Sequence, residues 1–593
     1  MALQRPARHL LWIVCACIVA IWAAPGFAQN AGKAVILSVN DIYRLKGVDG
    51  GKAGGMHRLR ALRAEIEATV PDMLLVHGGD FLSPSFLGRT YKGAQMIDLM
   101  NVMDGDPRAG RFDDRMFVAF GNHEFDDTHC SKAGPLADLV TSSEFTWLAS
   151  NFDFNRCDTL SALTGNARIA KTRVVQSGGL KLGLYGVTLP LSNYAAVADD
   201  PVTTSCRYAA DLRAQGVDVV IAVTHLPWRM DLELLGLALD GTALPADQRK
   251  CLDAPDIALG GHDHDALALP SRAPRLFKAD ADAISAQVVE LEKTNDGEIR
   301  VNARLVYLNQ DRPADPLAER LADQWLLRHD ERFCLRDCIG RTSDALKQCL
   351  AAVADGACLK QPIARTADVI ATEEIANRSR ETGFGDWLAD RVREAAGADI
   401  AFLNAGGIRL NYDLAAGTVV TRRHLEQMFP FKNKLAVRSV PGGDLWRAIE
   451  HAVRKRGEGA WAHFSGMTVQ LHVADGRQKV ARVVVKRTDG SLLELRAEST
   501  EPVSVASISF LFADGDGHGF RLCAEEIDVW SCKSEIEARP DWPLKGDGAD
   551  LAGFVRLKLV DAGFDPGLHL PVDRRLCDPG QTDCLIERWS AND

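Results

Sequence analysis

Five short motifs in the first half of the chain carry residue types that bind divalent metal ions. They are ND, HGGD, GNHEFD, VTHL and GGHDH, and each follows an apolar run. Carboxylates bridge ions, imidazole nitrogens bind Zn, Mn or Fe well, and an amide oxygen fills a neutral position. The candidate ligands in these motifs are Asp41, Asp80, Asn122, His225, His262 and His264.

These residue types suit two ions that share one ligand, and in the simplest partition Asp80 bridges them. One ion then takes Asp41, Asp80 and His264, and the other takes Asp80, Asn122, His225 and His262. Two ions roughly 3.5–4 Å apart suit in-line attack on phosphorus. A lone GNH or GGD is more often a turn, but five such pieces in order favour a dinuclear hydrolase site.

The elements that must position these motifs can be inferred from the apolar runs. MLLV, MFVAF, LGLYGV, VVIAV and IAL are typical of buried strands, and GGMHRLRALRAEIEA has helical spacing. Strands that alternate with helices predict an α/β domain. Because ligands in such folds bind beyond the carboxyl ends of the strands, we expect the five motifs to meet in one crevice.

The chain has 593 residues, too many for one ordinary core. We expect a signal peptide at 1–28 and a first α/β domain at 31–312. A linker with a cysteine-rich insertion is expected at 313–361, and a second α/β domain at 362–560. A tail rich in Pro, Asp and Arg follows at 561–593.

The first residues are typical of a secretory signal. Arg5 and Arg8 precede an apolar run from Leu10 to Ala24, and small residues up to Ala28 form a cleavage site. The alternative is an N-terminal membrane anchor, for which the run is short. We therefore expect a periplasmic or secreted protein, with no stable membrane insertion after the signal is cleaved.

The cysteine content agrees with export, and the net charge restricts the classes of partner. Cys15 and Cys17 lie in the signal, which leaves 12 of the 14 cysteines, and an even number favours disulfides over zinc sites. The pairing within the cluster of four cysteines at 334–358 is not determined by the sequence. The formal net charge of -11 disfavours nucleic-acid polymers and anionic membranes as partners.

Further motifs in the second half extend the pattern: NRSRETGFGDWLAD, FLNAGGIR, FPFKNKL and FLFADGDG. Together with the five metal motifs they resemble the 5′-nucleotidase family of the calcineurin-like metallophosphoesterase superfamily, over most of residues 34–525. That family includes periplasmic UDP-sugar hydrolases and ecto-5′-nucleotidase. The resemblance implies an α/β protein with an N-terminal four-layer α/β/β/α metallophosphoesterase domain and a C-terminal α/β substrate-binding domain.

The resemblance also implies roles for individual residues. His123 would contact the phosphate and stabilise the transition state, and Asp126 would orient that imidazole. The second domain would rotate to carry substrate to the metals. The implied substrate-binding residues are Arg378, Asn404, Arg409, Phe431, Asn433, Phe510 and Asp516.

The residue types in the second domain suit nucleotide binding even without the family resemblance. Arginine forks bind phosphate, and Arg380 is a further candidate beside Arg378. Two aromatic rings can sandwich any base, although Phe431 and Phe510 are also consistent with core positions. An aspartate such as Asp516 can accept hydrogen bonds from both ribose hydroxyls.

The expected function is hydrolysis of nucleotide phosphate esters to nucleoside and phosphate, with two divalent ions (Zn, Mn, Co or Fe). Alternatives on the same site are UDP-sugar hydrolysis, 2′,3′-cyclic phosphodiesterase activity and a related sulfur-oxidation hydrolase. A non-catalytic nucleotide-binding surface protein is the alternative from another class. The residues leave open the preferred nucleotide, the native metals and the oligomeric state.

Tyr43 departs from the Asp-x-His pattern of the superfamily, in which that His binds the first ion. Tyrosine has an ordinary pKa of about 10, so it is a poor ligand unless a metal removes its proton. Tyr43 could bind as phenolate to a harder ion such as ferric iron. Alternatively, water fills the position and weakens the first metal, which we favour, or the site is a relic.

Overall fold

The computed structural model describes residues 33–108, 110–191, 198–269, 275–431, 433–520, 522–524, 527–538, 541–564, 567–581 and 584–585. The signal peptide predicted at 1–28 lies outside the described residues. Across these described ranges, no helix combines the length and the apolar character needed to cross a membrane.

The first domain alternates strands and helices. Its strands are β1 Lys33–Val39, β2 Leu74–His77, β3 Met116–Ala119, β4 Thr146–Leu148, β5 Ile169–Ala170, β6 Thr172–Ser177, β7 Leu180–Thr188, β8 Val219–His225, β9 Ile257–Gly260, β10 Leu267–Leu269, β11 Arg275–Lys278, β12 Ser285–Lys293 and β13 Ile299–Tyr307. Its helices are α1 Met56–Glu67, α2 Gly88–Tyr91, α3 Ala94–Met100, α4 Leu136–Ser142, α5 Pro201–Ala214 and α6 Trp228–Leu235.

These strands form two sheets. The seven-stranded sheet has the order β13-β12-β1-β2-β3-β4-β5, with β1 to β5 parallel and β12 antiparallel to β1. The six-stranded sheet has the order β10-β11-β9-β8-β7-β6, in which β11, β9, β8 and β7 are parallel. The parallel strands of each sheet direct their carboxyl ends to one edge.

The two sheets pack face to face, as the alternation of side chains along β1 shows. Ile36 belongs to a buried cluster with Leu184 and Ile221 of the other sheet. The next residue, Leu37, faces the opposite side and packs with Leu59 of α1. Helices α5 and α6 cover the outer face of the six-stranded sheet. This arrangement confirms the predicted four-layer α/β/β/α domain.

The linker is a disulfide-bonded helical segment. Helix α7, Pro316–Arg336, begins at Asp315, whose carboxylate accepts hydrogen bonds from the backbone N–H groups of Leu317 and Ala318. Helix α8 spans Ser343–Ala351. The disulfides Cys334–Cys358 and Cys338–Cys349 tie the two helices and the following turn together.

The second domain is also α/β. Its strands are β14 Pro362–Arg365, β15 Ile400–Asn404, β16 Val419–Thr421, β17 Leu435–Pro441, β18 Ala462–Ser465, β19 Met467–Ala474, β20 Arg477–Lys486, β21 Leu492–Leu495, β22 Pro502–Ile508 and β23 Leu576–Cys577. Its helices are α9 Glu374–Ser379, α10 Gly383–Ala396, α11 Arg422–Met428, α12 Gly442–Arg454, α13 Ser509–Phe512, α14 Val529–Ala538 and α15 Leu551–Ala562.

Two four-stranded sheets organise this domain, in the orders β17-β22-β15-β18 and β21-β20-β19-β23. Part of the segment expected as a tail joins the second sheet, because β23 pairs with β19. Arg575, just before β23, is buried and lies 2.7 Å from Asp390 of α10. These contacts attach residues around 575 firmly to the domain.

All 12 cysteines that follow the predicted signal pair in the structure, so disulfides are confirmed over zinc sites. The bonds outside the linker are Cys130–Cys157, Cys206–Cys251, Cys523–Cys532 and Cys577–Cys584. The linker pairing that the sequence left open is the nested one, with Cys334–Cys358 enclosing Cys338–Cys349.

We predict that the nested linker disulfides contribute unequally to stability. Replacing Cys334 and Cys358 by Ser should cost about 2–5 kcal/mol of unfolding free energy. Replacing Cys338 and Cys349 should cost less, because they are 11 residues apart rather than 24 and close a shorter loop. Thermal unfolding of both double variants measures the difference, and an equal or larger loss for the inner pair would contradict it.

Candidate functional site

The six candidate metal ligands meet where the carboxyl ends of both sheets converge. Asp41, Asp80 and Asn122 follow β1, β2 and β3 of the seven-stranded sheet. His225 ends β8 of the other sheet, and the GGHDH motif follows its neighbour β9. The nearest ligand atoms of Asp41, Asp80 and His225 lie within 4.8 Å of one another, and all three residues are buried. The structure thus forms the crevice that the strand pattern predicts.

Backbone strain accompanies this convergence. Asp41, Asp80, His262 and His264 have φ angles of 54°, 61°, 82° and 68°, in the left-handed region that non-glycine residues rarely adopt. Such strain persists where surrounding structure holds it in place, and it concentrates at functional sites. Four of the six candidate ligands therefore leave their strands through an unfavourable turn that aims the side chain into the crevice.

Gly121 of the GNHEFD motif makes room for the central carboxylate. A Cβ atom at this position would lie 2.0 Å from Asp80 Oδ1. The backbone N–H of His123 donates a hydrogen bond of 2.8 Å to the same oxygen. The loop after β3 therefore needs glycine here because its backbone packs directly on Asp80.

The imidazole of His225 is oriented toward the ligand cluster. Its Nδ1 donates to the carbonyl oxygen of Gly78 at 2.7 Å, which leaves Nε2 available to a metal. Nε2 lies 3.2 Å from Asp80 Oδ2 and 3.2 Å from Asn122 Oδ1. The His262 ring stands edge-on, with its centroid 5.2 Å from that of His225. These are the four side chains expected for the second ion.

The charges of these groups depend on one another. Burial raises the pKa of Asp80, but the attraction of His225 and His123 outweighs it and holds the pKa at about 2. Burial lowers the pKa of His225, but the Asp80 carboxylate raises it to about 9. The site is a buried concentration of negative carboxylates that needs positive charge nearby.

The hydroxyl of Tyr43 lies among the ligands expected for the first ion. It is 3.2 Å from Asp41 Oδ1, 3.1 Å from Asp80 Oδ2 and 3.1 Å from His264 Nε2. Burial, followed by the charges of Asp80 and Asp41, raises the pKa of this phenol well above its ordinary value. The Tyr43 hydroxyl therefore lies within the cluster of candidate ligands, at the sequence position that the Asp-x-His pattern would fill with histidine.

His123 and Asp126 form the pair that the resemblance implies. His123 Nδ1 donates to Asp126 Oδ2 at 2.9 Å, and the hydroxyl of Ser83 donates to the same oxygen at 2.8 Å. Burial lowers the pKa of His123, but the Asp126 charge outweighs it and raises the pKa above its ordinary value. The imidazole is thereby held in one orientation and favoured in its protonated form.

The second domain contributes the opposite wall of a shared cleft of about 1090 Å³. Arg378 and Arg409 line it together with Asp80 and His123 of the first domain. Asn404 donates to Asp516 at 2.7 Å, while its own carbonyl oxygen is buried with no hydrogen-bond partner among the described residues. Asn433 and Asp516 line the cleft as well, so the polar substrate residues implied by the resemblance share one cavity. Arg380, the further candidate beside Arg378, is exposed and is not among the lining residues.

The two predicted base-stacking rings also line this cleft and are only partly buried. The Cζ atom of Arg409 lies 5.7 Å from the centroid of the Phe431 ring. The centroids of the Phe431 and His123 rings are 6.3 Å apart. Phe510 packs its inner face on the domain core and against Gly515. These positions differ from that of the neighbouring Phe429, which is fully buried.

Sequence reasoning did not single out Glu374, which links the two domains. Its carboxylate accepts a hydrogen bond of 2.8 Å from His264 Nδ1 and contacts Arg378, four residues later on α9. Burial raises the pKa of Glu374, but Arg378 and His264 hold it well below its usual range. The sequence feature that could have identified Glu374 is its position four residues, or about one helical turn, before Arg378.

Glu124, inside the GNHEFD motif, was also overlooked. Its carboxylate accepts hydrogen bonds from the backbone N–H groups of Asp80 and Phe81, at 2.9 and 2.8 Å, and from that of Leu82. It therefore holds the turn after β2 against the loop after β3. The sequence feature that could have identified Glu124 is its position between His123 and Asp126 in the motif.

Comparisons with known proteins agree with this geometry. Residues 34–266 match the model of the calcineurin-like phosphoesterase family, and residues 362–525 match that of the 5′-nucleotidase C-terminal domain. The chain belongs to the 5′-nucleotidase family of calcineurin-like phosphoesterases. Membership of this family makes it a phosphoester hydrolase.

Individual relatives span nearly the whole chain. Human 5′-nucleotidase is 24% identical over 88% of this chain and 89% of its own length. A 5′-nucleotidase precursor from Thermus thermophilus shares the fold with a TM-score of 0.69 at 20% identity, covering 93% of this chain and all of the other. The Thermus thermophilus sulfate thiohydrolase SoxB is similar at a TM-score of 0.61 and 13% identity, covering 93% and 98%.

We predict that Asp80→Asn removes most bound metal and most activity, because Asp80 lies between both sets of candidate ligands. Metal analysis of purified protein and phosphate release measure the two effects. The control is Asp263→Asn in the GGHDH motif, whose carboxylate contacts Lys278 instead. It should retain its metal, and wild-type turnover or metal content in Asp80→Asn would refute the bridging role.

Proposed function

We propose that this chain hydrolyses the phosphate ester of nucleoside 5′-monophosphates with two divalent metal ions, releasing nucleoside and phosphate. The observation that carries the proposal is a single cleft lined by the metal-ligand cluster on one side and by arginines and aromatic rings on the other. A phosphate at the cluster and a base on the rings match the two ends of one nucleotide.

The donor set fits divalent ions of the Zn, Mn, Co or Fe type. It combines buried carboxylates with imidazoles, one of which has its outer nitrogen fixed by a backbone carbonyl. Asp41, Asp80 and His264 would hold one ion, and Asp80, Asn122, His225 and His262 the other. When bound, such ions supply Lewis acidity and an activated water to phosphoryl transfer.

The protein's own residues position and neutralise the substrate. His123, held by Asp126, donates a hydrogen bond to a phosphoryl oxygen and stabilises the charge that develops there. Arg378 and Arg409 bind the remaining phosphate oxygens, which compete with the carboxylate of Glu374 for the same guanidinium groups. A flexible second domain, as the family implies, would admit the substrate to this cleft.

The nucleoside end is recognised by stacking and by hydrogen bonds. Phe431 lies 6.3 Å from His123, so a base on this ring leaves its 5′ phosphate within reach of the imidazole. Asp516 and Asn404 supply acceptors for the ribose hydroxyls. Because stacking on aromatic rings tolerates every base, the pocket accepts several nucleotides.

A specific observation supports a second activity, hydrolysis of nucleotides with an additional phosphate such as UDP-sugars. Lys132 and Lys533 also line the cleft and add positive charge to that of Arg378 and Arg409. This additional charge would attract the second phosphate group of such a substrate. Periplasmic or secreted location is part of the proposal, and the disulfides support it.

A substrate panel tests the function. Metal-free protein, reconstituted with Zn, Mn, Co or Fe, is assayed on AMP, UMP, UDP-glucose, 2′,3′-cyclic AMP and p-nitrophenyl phosphate, following phosphate and nucleoside. We expect nucleoside and phosphate in equal amounts from the monophosphates, dependent on added metal. Tight nucleotide binding without any turnover under all metals would instead identify a binding protein.

We predict that Phe431→Ala and Phe510→Ala raise KM for AMP, because loss of stacking costs about 1–3 kcal/mol per base. Hydrolysis of p-nitrophenyl phosphate, which lacks a nucleobase, should change less. The control is Phe429→Ala, which should lower the melting temperature because its side chain is buried. Equal losses on both substrates would place the two rings in the core instead.

A further inference from the structure

The cysteine-rich linker lies between the two segments that match family domains, yet it is paired closely with the second domain. Asp330 and Asp337 are seven residues apart along α7 and its last turn, so they share one face of the helix. Arg423 of α11 donates to both oxygens of Asp330, at 3.2 and 2.6 Å. Arg422 donates to both oxygens of Asp337. Two neighbouring arginines thus form two bidentate pairs with the linker.

These pairs supply charge that α11 lacks. Arg422 and Arg423 occupy the first turn of the helix, where the positive end of the helix dipole disfavours cations and where no acidic residue is present. The side chains of Arg422 and Asp330 are each only 11% exposed, so solvent screens the pairs weakly. The start of α11 therefore depends on the linker for its compensating charge.

The linker disulfides fix the two carboxylates. The outer disulfide, Cys334–Cys358, joins α7 to the turn that contains Gly356. This turn packs directly on Asp330, since a Cβ atom at Gly356 would lie 2.4 Å from the Asp330 Cβ. The inner disulfide begins at the residue after Asp337. Cross-links on either side of the pairs thus hold the carboxylates within the linker itself.

An aromatic cluster anchors the same linker to the first domain. The ring centroid of Phe86 lies 4.3 Å from that of His329 and 5.1 Å from that of Phe333. Phe86 also packs with Cys334 and Leu359 in one buried cluster. The linker therefore contacts both domains at once, through apolar packing on one side and ion pairs on the other.

Arg89 of the first domain completes this junction. Its Cζ atom lies 5.1 Å from the centroid of the Phe86 ring. Its guanidinium lies 2.5 Å from the Glu426 carboxylate of α11 and donates to the carbonyl oxygen of Phe429 at 3.4 Å. Helix α11 is thus held between the linker and the edge of the cleft, which Arg89 also lines.

The end of α11 leads directly to the groups proposed to bind the nucleotide. The carbonyl oxygen of Met428, the last residue of the helix, accepts a hydrogen bond of 2.8 Å from the backbone N–H of Arg409. Phe431 follows three residues after Met428. Displacement of α11 would therefore move both the arginine proposed for the phosphate and the ring proposed for the base.

We propose that the cysteine-rich linker positions the nucleotide-binding wall of the cleft through the pairs Asp330–Arg423 and Asp337–Arg422, here named the linker ion pairs. This inference rests on the proposed nucleotide hydrolysis and assigns a role to a segment outside both family domains. The four residues are positioning residues, which act on the substrate through α11. They set the affinity for nucleotides, whereas the candidate metal ligands belong to the first domain.

The test removes both linker charges while keeping the side-chain shapes, in the double variant Asp330→Asn with Asp337→Asn. It should raise KM for AMP by about tenfold, because small displacements of positioning groups weaken productive binding. KM for p-nitrophenyl phosphate, which lacks a base, should rise less. Bound metal and kcat should remain close to those of the wild type, because the first domain is unchanged.

The matched control is Asp323→Asn, on the same helix, since Asp323 pairs with Lys46 of the first domain at 2.8 Å. It should leave KM for AMP unchanged. An unchanged KM in the double variant would overturn the inference, as would a parallel loss of metal and of activity on both substrates. If the double variant does not fold, Asp337→Asn alone decides by the same measurements, because 30% of that side chain is exposed.

Calorimetric titration with AMP separates this inference from the proposed function. Hydrolysis of AMP with the same KM in wild type and double variant would refute the linker role and leave the hydrolase intact. AMP binding without turnover, weakened by about tenfold in the double variant, would refute the hydrolase and retain the linker role. A wild type that neither binds nor hydrolyses AMP would refute both.

Discussion

The position of the Asp80 carboxylate is the constraint on which the rest of the site depends. One oxygen accepts the backbone N–H of His123, and the other lies between Tyr43 and His225. It is fully buried, so its charge is stable only if cations and hydrogen-bond donors surround it. The left-handed turn after β2, the bare backbone of Gly121 and the carboxylate of Glu124 all serve to place it.

The two-sheet architecture meets this requirement. Candidate ligands from β1, β2 and β3 approach Asp80 from one sheet, and those that follow β8 and β9 approach from the other. Neither sheet alone surrounds the carboxylate. The apolar residues between the sheets, such as Ile36 and Ile221, therefore stabilise the geometry of the candidate site as well as the fold.

Electrostatics couple the second domain to the candidate metal ligands of the first domain. Glu374 binds His264 of the first domain with one oxygen, and its other oxygen faces Arg378 and Arg409. These arginines are the groups that we propose for the phosphate of the substrate, so the substrate and Glu374 would compete for the same positive charge.

The sequence alone determined the α/β class, the order of the strand-end motifs and the residue types of the candidate ligands, because local apolar periodicity and residue type do not depend on long-range contacts. It also indicated the oxidised state of the cysteines, though not their nested pairing in the linker. Tertiary structure decided that Tyr43 reaches the same cluster as Asp80 and His264, which are 37 and 221 residues away in the chain. It also placed Glu374 beside His264 and packed the residues around Arg575 onto the second domain. Such contacts depend on how sheets and domains pack, and no local pattern encodes the distance between side chains so far apart in the chain.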